Sequence, residues 1–412
     1  MDLMDDMGKA LAGDQKKYML GGGNPARIPE IEAVWRQRLH ELLGTDGAVE
    51  SMLGNYDSPQ GQPSFLEALA QLLHRQFGWA VTPENIAITN GSQTAFFILL
   101  NMLSGQKRQI LFPLLPEYIG YADQGLDPEA FVACRPRVET IDEHTHKYHV
   151  DFEAVEALLT EAAAGQRSEI SAICVSRPTN PSGNVLTDNE IHRLDTLARR
   201  FDVPLIVDNA YGMPFPHIVF DEEISGPAQP LWNENIVLGM SLSKIGLPGT
   251  RTGIIVGSRE LVRTLSRANA VLSLANTTVG QILVEPLLRN GELLSLSTEV
   301  IRPYYRTRAA QAREWMGQAF DSGVPYSLHR TEGSIFLWLQ LPGLPISSRE
   351  LYQMLKERNV IVVPGEYFFF GDPDIKNWEH SRQCMRINYG QAPQDVETGL
   401  GIIADEVNAL WR

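Results

Sequence analysis

Cysteine is scarce in this sequence, and long apolar runs are absent from it. The 412 residues include 3 cysteines, Cys134, Cys174 and Cys384, which lie far apart and lack metal-ligand spacing. We interpret them as reduced thiols. No apolar stretch reaches the roughly 18 residues of a membrane-spanning helix, and the N-terminus carries acidic groups where a signal peptide carries positive charge. We therefore expect a soluble cytoplasmic protein that does not bind membranes.

Clusters of basic residues are also missing. The chain has 35 Lys and Arg against 50 Asp and Glu, which gives a net charge of −15 at neutral pH. A general nucleic-acid binder needs a net basic face to displace counterions from phosphates, so we expect no nucleic-acid partner. A hydrophobic content of 43% and a charged content of 21% are typical of a globular protein. The length predicts two or three domains.

Short β-rich apolar runs alternate with amphipathic helical segments through the middle of the chain. Because parallel strands need long crossovers, this alternation predicts an α/β fold with a mainly parallel sheet covered by helices. Two of the helices are predicted at 151–164 and 187–201, and Thr187 with Glu190 forms a capping box for the second. The predicted strands are 86–89, 109–112, 170–175, 205–208, 236–240 and 253–256.

The pattern changes near residue 290. Longer helical stretches come first, and they are followed by an alternating segment at 333–341, a helix at 348–358 and a final helix ending at Arg412. We interpret this region as a second α+β domain, completed by residues from the N-terminus.

Two motifs suggest functions that their surroundings argue against. Residues 21–26 match the G-x-G-x-x-A pattern of a dinucleotide fold. The prolines in and after this segment impose extended backbone, whereas that fingerprint follows a strand and opens a helix. His144, His146 and His149 suggest a metal site, but the polar residues around them favour a solvated loop. We expect no metal.

The stretch 241–251 carries the strongest chemical signal. It directly follows a predicted strand and brings together hydroxyls, an amine and a guanidinium. A lysine such as Lys244 at the end of a buried strand loses its proton through desolvation and neighbouring positive charge, and it then attacks carbonyl carbons as a neutral amine. Ser241, Ser243 and Arg251 are candidates for holding a phosphate. Without the other motifs, the simpler interpretation of Lys244 is a surface lysine in a polar loop.

Three other predicted strand ends carry polar groups. Asp208 and Tyr211 follow one strand, and Asn180 lies between two prolines after another. Ser92 and Gln93 follow a third strand at the start of a helix, whose N-terminus attracts anions. Each of these features alone is typical of a turn or a cap. Together with the lysine they lie at the edge of the sheet where parallel α/β folds bind ligands.

These motifs resemble those of the fold-type-I pyridoxal-5′-phosphate aminotransferases, and the resemblance runs along nearly the whole chain. It implies a large cofactor-binding domain at 46–299 with a mainly parallel, seven-stranded type of sheet. It also implies a smaller α+β domain formed by 1–45 and 300–412. The stretches that carry the resemblance are GGGNPA at 21–26, NYDSPQG at 55–61, TNGSQTAFF at 89–97, FPLLPEYIGYAD at 112–123, VSRPTNPSGNV at 175–185, DNAYGMPFP at 208–216, MSLSKIGLPG at 240–249 and CMRINY at 384–389.

The resemblance also implies roles for individual residues around the cofactor, pyridoxal 5′-phosphate. By this resemblance Lys244 binds the cofactor covalently and moves a proton between it and the substrate, while Asp208 pairs with the protonated pyridine nitrogen. Tyr211 and Asn180 are implied to hydrogen-bond the phenolic oxygen, and Tyr118 to stack on the ring. The phosphate is implied to be held by Ser92, Gln93, Ser241, Ser243, Arg251 and, from a partner subunit, Tyr56.

The implied reaction passes an amino group between an amino acid and a 2-oxo acid. Arg386 is implied to bind the substrate α-carboxylate, with help from Asn180 and from backbone near Gly23. We expect the pair to be L-valine, or a similar small apolar amino acid, and pyruvate, giving 3-methyl-2-oxobutanoate and L-alanine. A small apolar side chain needs no second arginine. The implied position of Tyr56 predicts a homodimer with shared active sites.

Several alternatives stay open at this point. Another donor and acceptor pair would use the same residues. A lyase or decarboxylase of the same fold shares Lys244 and Asp208 and differs in the Cα bond that it breaks. A cofactor-sensing transcriptional regulator needs an additional basic winged-helix domain, for which we expect no room before residue 21. A catalytically silent relative is disfavoured, because every expected polar group is present.

Overall fold

Strands and helices alternate along the protein, which a computed structural model describes for residues 16–220, 226 and 228–412. The strands are β1 (Tyr18–Met19), β2 (Ile86–Asn90), β3 (Arg108–Phe112), β4 (Phe131–Ala133), β5 (Arg137–Asp142), β6 (Thr145–His149), β7 (Glu169–Ser176), β8 (Leu205–Asp208), β9 (Ile236–Ser241), β10 (Thr252–Val256), β11 (Ser327–His329), β12 (Phe336–Gln340), β13 (Val360–Ile361), β14 (Val363–Pro364) and β15 (Cys384–Asn388).

The helices lie between these strands and at both ends of the described chain. They are α1 (Pro29–Leu43), α2 (Ala48–Gly54), α3 (Pro63–Phe77), α4 (Ser92–Leu103), α5 (Ile119–Ala122), α6 (Phe152–Ala163), α7 (Asp188–Arg200), α8 (Arg259–Ser273), α9 (Val279–Asn290), α10 (Glu292–Ser295), α11 (Arg302–Ala319), α12 (Ser348–Glu357), α13 (Glu379–Arg382) and α14 (Pro393–Leu410). None of them combines the length and the apolar character that a bilayer crossing requires.

The larger sheet has seven strands in the order β2-β10-β9-β8-β7-β3-β4. Neighbouring strands from β9 to β4 are parallel, and β10 runs antiparallel to both β2 and β9. The central strands are buried and almost continuously apolar, as strands covered on both faces by helices must be. The six strands predicted from sequence are all present, so the predicted mainly parallel α/β fold is confirmed.

Local signals set several helix boundaries. Thr187 accepts a hydrogen bond from the Glu190 backbone, and the Glu190 side chain accepts one from the Thr187 backbone, so α7 begins with the predicted capping box. Ser347 and Glu350 form a second capping box at α12. Asp151 caps α6 by accepting from the Ala154 N–H.

A second sheet has six strands in the order β14-β15-β12-β11-β6-β5. Four of its strands come from the C-terminal region, where a second α+β domain was expected. The hairpin β5–β6 joins them because β6 pairs in parallel with β11. This hairpin lies inside the range 46–299 of the predicted large domain. The division at 45 and 299 stays a prediction. The predicted N-terminal contribution is residues 1–45, of which 1–15 lie outside the described residues.

The prediction of a solvated loop at the histidine-rich segment is wrong. His144 lies at the turn of the hairpin, and His146 and His149 lie on β6. His146 is only 2% exposed, because its strand is sandwiched in the second sheet beside His329 and Tyr148. Burial lowers the pKa of His146 to about 3, so this imidazole is neutral.

Candidate active site

The polar strand ends meet at one edge of the larger sheet. Strands β2, β7, β8 and β9 share one direction, so the residues that follow them lie at the same edge. Arg251 precedes β10, and it lies at this edge because β10 is reversed. A cavity of about 310 Å³ opens there. Its lining includes Gly23, Ser92, Gln93, Tyr118, Asn180, Asp208, Tyr211, Ser241, Ser243, Lys244, Arg251 and Arg386.

Lys244 lies in a short 3-10 turn immediately after β9 and extends into this cavity. Its Nζ donates a hydrogen bond of 2.6 Å to the Gly23 carbonyl oxygen and lies 5.3 Å from the centroid of the Tyr211 ring. Burial lowers the pKa of Lys244 to about 8, and the positive charges of Arg386 and Arg251 act in the same direction. The neutral amine that sequence reasoning required is therefore accessible near physiological pH.

Asp208 is the last residue of β8 and presents its carboxylate to the same cavity. Oδ2 accepts a hydrogen bond of 2.6 Å from the Tyr121 hydroxyl, and Oδ1 accepts one of 3.0 Å from the Ala210 N–H. Burial raises the pKa of Asp208 above its ordinary value, whereas the two hydrogen bonds and Lys244 oppose that rise. The carboxylate is thus fixed in direction and supported as an anion.

Hydroxyls, a helix N-terminus and a guanidinium form a cradle at one end of the cavity. Ser92 and Gln93 begin α4, whose first N–H groups point away from the helix as potential donors to an anion. Gly91 adopts φ +89°, and a Cβ there would clash with Arg251 Nη2. Glycine at this position therefore lets the guanidinium lie directly against the helix start. Two hydroxyl side chains, those of Ser241 and Ser243, complete the cradle.

Arg386 lies on β15 of the second sheet, and its side chain also lines the cavity. Nη1 donates 2.7 Å to Asn180 Oδ1, and Nη2 donates 2.6 Å to the Gly21 carbonyl oxygen. Nε is buried without a hydrogen-bond partner among the described residues. The guanidinium stacks 4.1 Å from the centroid of Phe336. It is therefore held rigidly, with a planar donor fork available to a carboxylate.

Two of the three tyrosines predicted for the site line the cavity, and the third does not. Tyr211 is buried between Lys244 and Phe336, and the Tyr118 hydroxyl donates to Gln93 Oε1 at 3.3 Å. Tyr56, in contrast, is 84% exposed and is absent from the lining. Of the residues predicted for the site, Tyr56 alone lies away from this chain's cavity.

Comparison with known proteins gives this arrangement its context. The sequence model described as "Aminotransferase class I and II" matches residues 30–403. The valine–pyruvate aminotransferase of Escherichia coli (strain K12) is 44% identical over 414 aligned residues, which cover 99% of this chain and 95% of that protein. This chain belongs to the aminotransferase class I and II family.

Solved structures of other family members superpose over the whole chain. The crystal structure of a putative amino-acid aminotransferase from Psychrobacter arcticum 273-4 matches with a TM-score of 0.94 and 41% identity, covering 100% of this chain and 95% of that one. The crystal structure of valine-pyruvate aminotransferase from Salmonella typhimurium LT2 matches with a TM-score of 0.89 and 44% identity, covering 100% and 99%. The fold is therefore that of the fold-type-I aminotransferases.

The aminotransferases of this family use pyridoxal 5′-phosphate, and the described cavity suits that group. The cradle of serines, helix N-terminus and Arg251 has the donors that a phosphate requires. The carboxyl group of Asp208 suits a protonated ring nitrogen, and Lys244 supplies an amine with a pKa of about 8. The residues of the cavity thus suit both the phosphate and the ring of the cofactor.

Sequence reasoning missed several residues that line the cavity, including Tyr121 and Val363. Tyr121 lies on the one-turn helix α5, which begins directly after Tyr118. A helix this short has no periodic pattern that would have marked Tyr121 as a lining residue. Val363 lies on the two-residue strand β14, directly opposite Arg386 in the sheet register. A strand that short leaves no periodic pattern, so no local signal pointed to Val363.

Proposed function

We propose that this protein transfers an amino group from L-valine to pyruvate with pyridoxal 5′-phosphate as cofactor, forming 3-methyl-2-oxobutanoate and L-alanine. The observation that carries the proposal is that Lys244, Asp208 and Arg386 line one cavity. Lys244 comes from the turn after β9, Asp208 from the end of β8, and Arg386 from β15 of the second sheet. The specific substrates are suggested by the valine–pyruvate aminotransferases from E. coli and S. typhimurium, both 44% identical to this chain.

The cofactor would be held at its ring, at its phenolic oxygen and at its phosphate. Asp208 would pair with the ring nitrogen, and Tyr118 would cover one face of the ring. The phenolic oxygen would accept hydrogen bonds from Asn180 and Tyr211. The phosphate would be held by Ser92, Gln93, Ser241, Ser243, Arg251 and, from a second subunit, Tyr56. When bound, the cofactor supplies an electron sink that stabilises negative charge at the substrate Cα.

Lys244 performs the proton transfer in this proposal. Its neutral Nζ takes the proton from the substrate Cα and becomes an ammonium group. That ammonium group later gives the proton back, so the lysine serves first as base and then as acid. A pKa of about 8 suits both tasks, because both protonation states are populated near neutral pH. Arg386 orients the substrate by binding its α-carboxylate through Nη1 and Nη2.

The lining of the cavity favours a small apolar side chain. Its cations are Lys244, Arg251 and Arg386, and each is assigned a task at the cofactor or at the α-carboxylate. Ile119 and Val363 line the cavity with apolar surface. A second carboxylate on the substrate would therefore lack a cationic partner among the described lining residues. An isopropyl group needs no such partner and would pack against the apolar residues.

The substrate assignment is tested by steady-state assays of purified protein with pyruvate and a panel of amino donors. We expect valine to give the highest kcat/KM. Donors that differ from it by one methylene, such as 2-aminobutyrate, should follow within about 10–200-fold, because one methylene in an apolar pocket contributes only about 1–3 kcal/mol. A preference for aspartate would contradict the proposal, and so would release of ammonia or carbon dioxide in place of alanine.

We also infer that two copies of the chain associate across an apolar patch formed by Leu53, Tyr56, Val271, Leu272 and Leu274. All five side chains are between 57% and 88% exposed. The two segments that carry them are joined, because Asn276 donates 2.7 Å to the Pro59 carbonyl and Thr278 donates 2.8 Å to the Met52 carbonyl. Exposed apolar surface of this kind is typical of an interface between proteins.

We propose a cytoplasmic location, supported by three buried and unpaired cysteines, and fractionation tests it. We propose domain boundaries at 45 and 299, which limited proteolysis tests. Cleavage near these two positions would support them, whereas cleavage only elsewhere would contradict them.

A further inference from the structure

The carboxylate of Asp208 has a hydrogen-bond donor, Tyr121, to which the proposed function gives no role. The hydroxyl of Tyr121 lies 2.6 Å from Oδ2, on a side chain that is 0% exposed. The other donor to this carboxylate is the Ala210 N–H, which lies 3.0 Å from Oδ1. One oxygen is therefore directed by backbone close in sequence, and the other by a side chain 87 positions away.

The ring of Tyr121 is fixed by packing on several sides. Its centroid lies 5.1 Å from that of Phe96, 5.6 Å from that of Phe112 and 5.2 Å from that of Tyr118. Aromatic rings packed in this way have little freedom to change rotamer. The packing therefore holds the hydroxyl in place against Asp208.

The helix that carries Tyr121 is itself anchored to the floor of the cavity. Helix α5 follows Glu117, whose buried carboxylate accepts hydrogen bonds from the Tyr118 N–H at 3.1 Å, the Ser176 N–H at 2.7 Å and the Ser176 hydroxyl at 2.6 Å. Ser176 ends β7 and pairs in register with Asp208 on β8. The chain thus ties the start of α5 to the strand beside Asp208, which sets the distance between the Tyr121 hydroxyl and the carboxylate.

We propose that Tyr121 is a positioning residue that acts through Asp208, by fixing the direction of its carboxylate and by favouring its ionised form. This inference rests on the proposed function, because Asp208 has its role only toward the cofactor ring. A buried carboxylate with one donor fewer takes up a proton more readily, and a protonated carboxyl pairs poorly with a cationic nitrogen. Burial raises the pKa of Asp208 and also raises that of Tyr121 well above 10, so the tyrosine stays a donor.

A double-mutant cycle on cofactor affinity tests the proposal. Tyr121→Phe is made in the wild-type chain and in Asp208→Asn, and each apo-protein is titrated with pyridoxal 5′-phosphate by absorbance. We expect Tyr121→Phe to weaken binding about tenfold in the wild-type background, as for loss of a hydrogen bond to a charged group. In the Asp208→Asn background its effect should fall below about twofold. Equal weakening in both backgrounds would overturn the proposal.

Phe112→Leu is the matched control for packing, because Phe112 contacts the same ring and lies outside the cavity lining. We expect it to lower the thermal unfolding midpoint while leaving cofactor affinity within about twofold of wild type. If Phe112→Leu weakened the cofactor as much as Tyr121→Phe, Tyr121 would be a packing residue only. In turnover, Tyr121→Phe should lower kcat and leave KM for pyruvate nearly unchanged, since Arg386 is untouched; a change in KM alone would contradict the role.

The outcomes for the inference and for the proposed function are distinct. Wild-type protein that fails to bind pyridoxal 5′-phosphate would refute the proposed function, and the inference with it. Wild-type binding that Tyr121→Phe leaves unaltered would refute the role of Tyr121 alone.

Discussion

At Lys244, burial and two arginines act on one amine in the same direction. Since they lower its pKa from 10.5 to about 8, the amine is protonated below pH 8 and neutral above it. Only the neutral form attacks a carbonyl carbon. We expect the rate at which apo-protein binds pyridoxal 5′-phosphate covalently to rise with pH, with its midpoint near 8, when absorbance is followed by stopped flow. A midpoint near 10.5 would show that the lysine is not perturbed.

Replacing Lys244 separates chemistry from cofactor retention. Lys244→Ala should abolish alanine formation, because no other described lysine lines the cavity. The cradle around Arg251 should still hold some cofactor without a covalent bond, which dialysis followed by absorbance measures. Lys376→Ala, at an exposed position, is the control and should retain full activity. Turnover by Lys244→Ala at a rate near that of wild type would exclude the proposed mechanism.

Arg386→Lys tests whether a planar fork is needed or charge alone suffices. Lysine keeps the positive charge but presents a single point donor, and it loses the stacking on Phe336. We expect KM for both substrates to rise about 10–100-fold with a smaller change in kcat, because a charge-assisted hydrogen bond contributes about 1.5–3 kcal/mol. Unchanged KM values would place the substrate carboxylate elsewhere.

Among the elements, helix α7 shows how a local signal sets a boundary. Thr187→Ala removes the hydroxyl that accepts from the Glu190 N–H, so the free energy of unfolding should fall by about 1 kcal/mol. Thr196→Ala on the exposed face of the same helix is the control, since its hydroxyl bonds only a carbonyl within the helix. Urea unfolding measures both variants, and equal effects would argue against a specific contribution of the cap.

The elements that sequence predicted well are those with local patterns. The strands of the larger sheet are continuous apolar runs, and the site residues follow their ends, so a parallel sheet assembles them at one edge. The hairpin β5–β6 was not recognised, because its parallel partner β11 lies more than 170 residues away, at Leu328 opposite Thr145. The burial of His146 depends on that long-range pairing, which no local pattern encodes.

At the scale of the whole molecule, the apolar patch predicts that two copies of the chain associate. Leu272→Asp with Leu274→Asp places two charges in the apolar patch, which a dry interface would exclude. We expect this variant to shift from dimer to monomer in light scattering and to lose activity. An unaltered mass would show that the patch is not the interface.

Sharing of the site between subunits has its own test. We expect Tyr56→Ala and Lys244→Ala chains each to be impaired alone, and a mixed dimer to restore one complete site if Tyr56 serves the partner's cavity. We therefore expect co-expressed chains to exceed the mean activity of the two homodimers. Activity no higher than that mean would show that Tyr56 does not serve the partner's cavity. Its 84% exposed side chain would then be a surface residue.

The glycine-rich segment before α1 bears on how substrate affinity arises. Carbonyl oxygens of Gly21 and Gly23 already accept hydrogen bonds from Arg386 and Lys244. A substrate carboxylate that binds Arg386 therefore takes the place of the Gly21 carbonyl oxygen, and the substrate's affinity is the difference between two sets of hydrogen bonds. Binding is an exchange reaction, so changes to this segment alter substrate affinity even though its backbone donates nothing to the chemistry.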